Sequence, residues 1–538
     1  MASEREKEDR IWKADIGDGR YRNPVLYADY SDPDVIRVGD DYYMVVSSFC
    51  NAPAIPLLHS KDLVNWKVVN YVLKKLPFPC YDTPQHGRGV WAPSIRFREG
   101  LFFVCFPLMD EGIFMTTATD PLGEWSEPVR LRYSEKEPWF DPCPFWDEDG
   151  RAYLVAASRG GFLHLVEMQP DGMALIGTEA VIMDGLSVGH RTLEGPKLYK
   201  KDGWYYIFAP AGGVKMGWQT VLRAENIRGP YELKTVLMQG STGINGPHQG
   251  AWVQTQTGED WFIHFQDCYA AGRVVHLQPM MWKSDGWPVI GHPVDGEEWG
   301  EPVPVCKKPD VGASYPPCAP DATDYFESGT LGLQWQWNAN PKDGWAMFET
   351  GTRGLWMRAA ALDPTLGKRE QKLCHLPNLL LQKWPVPAFT CITTCDMSGL
   401  KPGDEAGVVS MGTYYCAVCA VCEEQHTSLW LVTGGRKDEM VEKRKKLLEA
   451  ISDTLFVKYE VRPNGVHLRA KTKNAPLERI TLSYSTDGTH YEQVHSEDSL
   501  QGFWVGTKSG VYALHRGPGE EGRMRVQSVV YEAGSGLE

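Results

Sequence analysis

EGPKLYKKDGWYYIFAPAG, residues 194–212, reads as an acidic turn, a short strand, a Lys-Lys-Asp-Gly reversal and a second strand rich in aromatics. The phrase recurs as DPDVIRVGDDYYMVVSS (32–48), WAPSIRFREGLFFVCF (91–106), DPCPFWDEDGRAYLVAAS (141–158) and HQGAWVQTQTGEDWFIHFQD (248–267). Its leading residues, Asp32, Trp91, Asp141, Glu194 and His248, stand 59, 50, 53 and 54 residues apart. A period of this size with several short strands per unit suits β-propeller blades better than sandwich hairpins, so five phrases predict five blades. Gly and Asp fall where tight hairpins must reverse. Long helical periodicities are scarce, and the chain reads as all-β.

In a propeller the first strand of each blade runs along the central channel, so residues at the same end of those strands meet at one mouth. Two aspartates, a glutamate, a tryptophan and a histidine then share a pocket. A single Asp-Pro or Glu-Gly-Pro would be an ordinary strand-entry turn. Three carboxyls and a Trp in corresponding positions point instead to a site. Paired carboxyls among aromatics suit glycosidic cleavage, because one protonates the leaving oxygen while the other activates water or attacks carbon. Sugars lay their apolar faces on aromatic rings such as Trp91.

The remaining bulk properties narrow the partners. A chain of 538 residues, 42% apolar and 23% charged, predicts a soluble protein of two domains. Its 55 basic and 69 acidic residues give a net charge of −14, which argues against nucleic-acid and anionic-membrane partners. The opening MASEREKEDRIWK carries no apolar leader segment, and no apolar run of membrane-spanning length occurs. With 13 cysteines lacking an export signal, the expectation is reduced thiols in a cytoplasm. Cys416, Cys419 and Cys422 in YYCAVCAVCEE fall on alternating faces of a strand, which disfavours a shared zinc.

The motifs SDPDVIRVGDDYYMVVSSF, LLHSKDLVNW, GVWAPSIRF, WFDPCPFWDEDG, TLEGPKLY and GPHQGAWV together resemble glycoside hydrolase family 43, specifically its two-domain β-xylosidases and α-L-arabinofuranosidases. The resemblance implies a five-bladed propeller that hydrolyses with inversion. It implies Asp32 as the general base, with Asp34 the weaker candidate for that role. Asp141 would be the carboxylate that raises and orients the acid, and Glu194 the general acid. It further implies Phe49 and Trp91 as walls of the sugar subsite and Arg273, in AGRVVHLQP, as a ligand of substrate hydroxyls. His248 matches a histidine that in some members helps to hold a hydrated calcium, so a calcium contact through water and a hydrogen-bonded core histidine are both open. No cofactor is required for the chemistry. Lys197 departs from the family, which often carries His after Glu-Gly-Pro, and a cation facing the pocket would work against a raised acid pKa.

The expected organisation is a propeller over residues 1–300, a Pro-rich linker over 301–320 with six prolines, and a concanavalin- or jelly-roll-like β-sandwich over 321–538. The sandwich tryptophans are expected in its core. The run RKDEMVEKRKKLLEAISD (436–453) is expected as a solvated helix or an excursion between strands. QGFWVG, with Phe503 and Trp504, resembles the sandwich loop that reaches the catalytic mouth in two-domain relatives. A closed mouth favours exo-action, so the leading expectation is a β-1,4-xylosidase acting on xylo-oligosaccharide ends, with arabinofuranose release as a second activity. An endo-arabinanase and a sugar-binding propeller without catalysis are the alternatives. A homo-oligomer stays open.

Overall fold

The computed structural model describes residues 12–133, 137–385, 388–437, 440–466 and 476–534. Residues 1–11 of the charged N-terminus, residues 438 and 439 of the charged run and the last four residues lie outside the described residues.

Each repeated phrase supplies the first two strands of a four-stranded antiparallel meander. Blade 1 runs Asp34–Val38, Asp41–Val45, Ala54–Ser60, Trp66–Leu73, and blade 2 runs Ser94–Arg98, Leu101–Leu108, Gly112–Ala118, Val129–Arg132. Blade 3 is Trp139–Trp146, Ala152–Ser158, Phe162–Met168, Leu175–Asp184. Blade 4 is Lys197–Lys201, Trp204–Ala211, Trp218–Ala224, Glu232–Leu237, and blade 5 is His248–Gln254, Asp260–Asp267, Arg273–Trp282, Pro288–Ile290. The Asp-Gly reversal of the opening phrase is a two-residue turn: Lys201 pairs with Trp204, while Asp202 and Gly203 take φ of 51° and 83°. That left-handed pair is what joins two right-twisted strands tightly, and Glu99-Gly100 repeats it in blade 2.

Apolar side chains between the blades close the ring. Val45 and Leu57 pack with Ile95 and Val104, Met115 with Leu154, Val155 with Ile207, Phe208 with Phe262, and Ile263 with Met44 and Leu58. Five interfaces thus run from blade 1 around to blade 5 and back, which is the geometry that the sequence period predicts. Leu26 adds a backbone bridge to Val275 of blade 5.

The proline-rich segment lies along the propeller as a strap. Val305–Lys307 pairs with Arg20–Arg22, Lys308 forms ion pairs with Asp15 and Asp62, and Val311 is buried against blades 1 and 5. Beyond it two antiparallel sheets face each other. One includes Leu379–Lys383, Lys508–His515, Asp404–Met411, Tyr414–Cys422 and Thr427–Gly435; the other includes Arg523–Ala533, Phe389–Asp396, Thr454–Val466 and Pro476–Ser485. Trp335, Trp337, Trp345 and Trp384 are buried in the core between them, as expected. Cys416 and Cys419 enter separate apolar clusters, so the steps of three do place thiols on opposite faces.

The charged run is corrected. Lys443–Leu448 is a strand paired with Thr427–Gly435, not a helix or an excursion. Its stems lie across a ring, with Arg444 and Lys446 over Trp430, and Arg444 pairs with Glu405. Long cationic side chains that cover apolar surface while their heads stay wet make a serviceable sheet edge.

Candidate active site

The three carboxyls reach the mouth through unusual backbone. Asp32 and Asp141 have φ of 58° and 53°, each directly before a proline. A non-glycine residue in the left-handed region costs of order 1–3 kcal/mol, and such strain persists where the surroundings over-determine it. In blade 3 it is accommodated by a bulge: Phe140 pairs with Ala157 and Cys143 with Val155, which leaves Asp141 and Pro142 opposite one residue. The equivalent position of blade 4 is Gly195, with φ of 59° before Pro196. Here a Cβ would press on Gln249 and Pro210 at 2.9–3.1 Å, so glycine is needed for room as well as for φ. Glu194 therefore stands one residue ahead of the register of Asp32 and Asp141, and its carboxyl enters the pocket from a different direction.

Asp32 is buried and heavily gripped. Its Oδ2 accepts hydrogen bonds from Ser31 Oγ (2.6 Å) and Ser47 Oγ (2.5 Å), and Arg273 Nη1 lies 3.2 Å from Oδ1. Asp141 is 4% exposed, and its Oδ2 accepts the Gly195 N–H at 2.9 Å. Burial, then the neighbouring Glu194 and Asp32 carboxyls, push Asp141 up to about 8. The Gly195 N–H acts the other way and favours the charged form of Asp141. Glu194 keeps a quarter of its side chain exposed, and its Oε1 is 2.8 Å from His248 Nε2.

A cavity of about 430 Å³ opens between these groups, lined by Asp32, Asp141, Glu194, Arg273, Phe49, Trp91 and Trp504. Trp91 is held by its Nε1 donating to the Gly87 carbonyl and stands 6.3–6.4 Å, centroid to centroid, from Phe49, Phe140 and Trp504. Phe140, Arg191, Thr192 and Gln249 also face the cavity and were not singled out from sequence, although each adjoins a motif residue. Ser31 and Ser47, which orient Asp32, were likewise missed; the Ser-Asp-Pro and Val-Ser-Ser phrases carry them.

Two expected contacts are displaced. Phe503 lies over Gly87 beside an adjacent recess with Arg436 and His86, whereas Trp504 lines the main cavity. His248 is fully buried behind Glu194 and is not in the cavity wall.

The sandwich loop is fastened by backbone. Asp29 Oδ1 accepts the Arg273 N–H and Oδ2 the Gly506 N–H, both at 2.9 Å, and Thr507 N donates to the Ala270 carbonyl at 2.7 Å. Gly506 packs directly on Gly272; a Cβ there would lie 2.9 Å from Gly272 Cα. The Arg273 guanidinium is then 5.5 Å from the Trp504 ring.

The residues around His248 do not fit a directly ligated calcium. Its Nε2 is engaged by Glu194, and its Nδ1, buried without a hydrogen bond, faces the backbone at Gly217, whereas calcium takes six to eight oxygens. The channel below already holds a cation: Lys197 is fully buried, with Nζ 2.8 Å from Ser94 Oγ. Asp34 lies deeper than the mouth, where it pairs with Arg96 at 2.7 Å, which is a structural use of that carboxylate.

Comparisons with known proteins agree with this geometry. Residues 21–288 match the profile of glycosyl hydrolases family 43, and residues 323–532 match the β-xylosidase C-terminal concanavalin A-like domain. A putative β-xylosidase of Xylanibacter ruminicola is 39% identical over 502 residues, covering 92% of this chain and 86% of its own. A β-xylosidase of Formosa agariphila is 31% identical over 553 residues, covering 93% and 88%. Among solved structures, the GH43 BlXynB protein of Bacillus licheniformis superposes with a TM-score of 0.79 at 26% identity, over 96% of this chain and all of that one.

Proposed function

The chain belongs to glycosyl hydrolase family 43, and we propose that this glycoside hydrolase is an exo-acting, inverting β-1,4-xylosidase that removes xylose from the ends of xylo-oligosaccharides. The observation that carries this reading is the division of labour among three carboxyls around one small cavity. Asp32, fixed by two serines and Arg273, takes a proton from water as the water oxygen attacks the anomeric carbon. Glu194 gives its proton to the departing glycosidic oxygen, so the attacked carbon ends with inverted configuration. Asp141, pushed up to about 8 by burial and by the neighbouring Glu194 and Asp32 carboxyls, is the like-charged neighbour of the acid.

Substrate size follows from the walls. A cavity of about 430 Å³ closed on one side by Trp504 suits a terminal pentose more than the middle of a polymer. Trp91 and Phe49 supply flat apolar faces for the sugar ring. α-L-Arabinofuranose offers a similar hydroxyl pattern and is the competing substrate. All thirteen cysteines are free thiols, nine of them buried, which supports a reducing compartment supplied with imported oligosaccharides.

Turnover of xylobiose followed by proton NMR tests the reading. The expected result is xylose as the sole product, appearing first as the α-anomer, with more turnover on nitrophenyl β-xylopyranoside than on the α-arabinofuranoside. First appearance of the β-anomer would remove the inverting assignment. Internal cleavage of arabinan, or sugar binding without turnover, would replace the proposal with one of its rivals.

A further inference from the structure

We propose that Lys197 is the channel's own cation, a positioning residue for Asp141, and that catalysis proceeds without metal. The inference rests on the hydrolase reading above. Lys197 starts the inner strand of blade 4, and its Nζ reaches across to Ser94 Oγ at the start of blade 2. Blade 3 lies between those two, and Ser94 Oγ donates in turn to the carbonyl of Pro142 at 2.6 Å. The ammonium thus sits beneath the bulge that carries Asp141, tied to it through one serine.

Of the charges around Asp141, Lys197 is the cation that favours its carboxylate. Asp34 Oδ2 is paired with Arg96, which also donates to Cys143 Sγ, while Asp34 Oδ1 is buried without a hydrogen bond, and burial pushes the Cys105 thiol up, so it stays neutral. Asp32 is gripped by Arg273, and Glu194 by His248. Against Asp141, burial, Glu194 and Asp32 all disfavour ionisation, while Lys197 and the Gly195 N–H favour it. A buried ammonium whose hydrogen-bond partner is a neutral hydroxyl is costly unless a carboxylate stands near, and here that carboxylate belongs to the site. A second positive charge near Lys197 would meet its repulsion.

Metal analysis and kinetics on the full chain test this together. The purified protein is expected to hold far less than one equivalent of calcium, to keep full xylobiose turnover after chelation, and to gain nothing from millimolar calcium. Lys197→Met, close in shape and without charge, is expected to melt near the wild type. Its kcat should fall at least tenfold with KM little changed, and the acidic limb of its pH profile should move to higher pH, because Asp141 loses the cation that favours its carboxylate. Lys197→Arg is expected to restore the limb at least in part. Stoichiometric calcium whose removal stops turnover would overturn the proposal, and so would a wild-type pH profile in Lys197→Met. If Lys197→Met does not fold, the metal analysis and Lys197→Arg decide alone. A wild-type protein inactive on every glycoside would sink the hydrolase reading instead, while its metal content would still be measured.

Discussion

Glu405 in the sandwich and Asp141 in the propeller are both carboxyls taken almost wholly out of water, and they are treated in opposite ways. Glu405 lies between Arg516 (2.9 Å) and Arg444 (2.7 Å) and accepts from the Tyr512 hydroxyl. Burial raises its pKa, but the two guanidiniums outweigh burial and hold it below the usual carboxylate range. Asp141 has two carboxyls for company and is driven up to about 8. Burial is common to both, so the sign of the neighbours decides. A carboxyl buried among opposite charges is part of a frame, and one buried among its own kind is held in readiness for proton traffic.

Substitutions can break this contrast from either side. The largest effect is expected at Glu194, the partner that makes Asp141 unusual: Glu194→Gln should lower kcat on xylobiose by roughly 10²–10⁴-fold, with an unchanged melting curve. Retained turnover would strip Glu194 of its role as acid. On the frame side, Glu405→Ala strands Arg444 and Arg516, and breaking such a pair costs about 3–5 kcal/mol. Urea denaturation should show that loss, with xylosidase activity per folded molecule unaltered.

Asp141→Asn sharpens the contrast through pH. Asp141 has a raised folded-state pKa, so between its unfolded value near 3.8 and about 8 the native state binds more protons than the unfolded chain, and stability falls as pH rises. The variant should therefore be inactive yet increasingly more heat-stable than the wild type as pH goes from 5 to 8. Glu405 carries the reverse sign: its contribution is full above its unfolded value of 4.5 and is lost as pH falls through the depressed folded value. A Tm difference for Asp141→Asn that is flat in pH would contradict the raised pKa of Asp141. The smallest effect is expected at Trp504, whose truncation to Ala should raise KM three- to tenfold, about 1 kcal/mol of ring contact, with kcat nearly kept.

Much of this was legible in the chain, for identifiable reasons. The blade phrase repeats because each blade must solve the same hairpin and the same channel entry, so Asp32, Asp141 and Glu194 could be aligned by eye. The offset of Glu194 was present too, as Glu-Gly-Pro against Asp-Pro, but its meaning needed the left-handed φ at Gly195. Lys197 could not be placed from sequence, because its partner Ser94 lies two blades away. The strand Lys443–Leu448 was hidden for a similar reason: its cations are absorbed by Trp430, Glu405 and Glu423, which local charge density does not reveal. For His248 the sequence left a core histidine and a calcium contact through water both open, and the fold places its ring behind Glu194 with Nε2 2.8 Å from Oε1.

The contact of Gly506 on Gly272, clasped by Asp29, bears on how such proteins are inherited and rebuilt. The proline-rich strap is the evident place to join one propeller to another sandwich. Yet exchanging the sandwich at that point would also exchange the strip of backbone that seats Trp504 beside Arg273. A donor sandwich with a side chain at the Gly506 position would bring its Cβ to 2.9 Å from the Gly272 backbone and force that backbone to shift. The two halves are thus a matched pair at this contact, and the propeller's cavity borrows one wall from the sandwich.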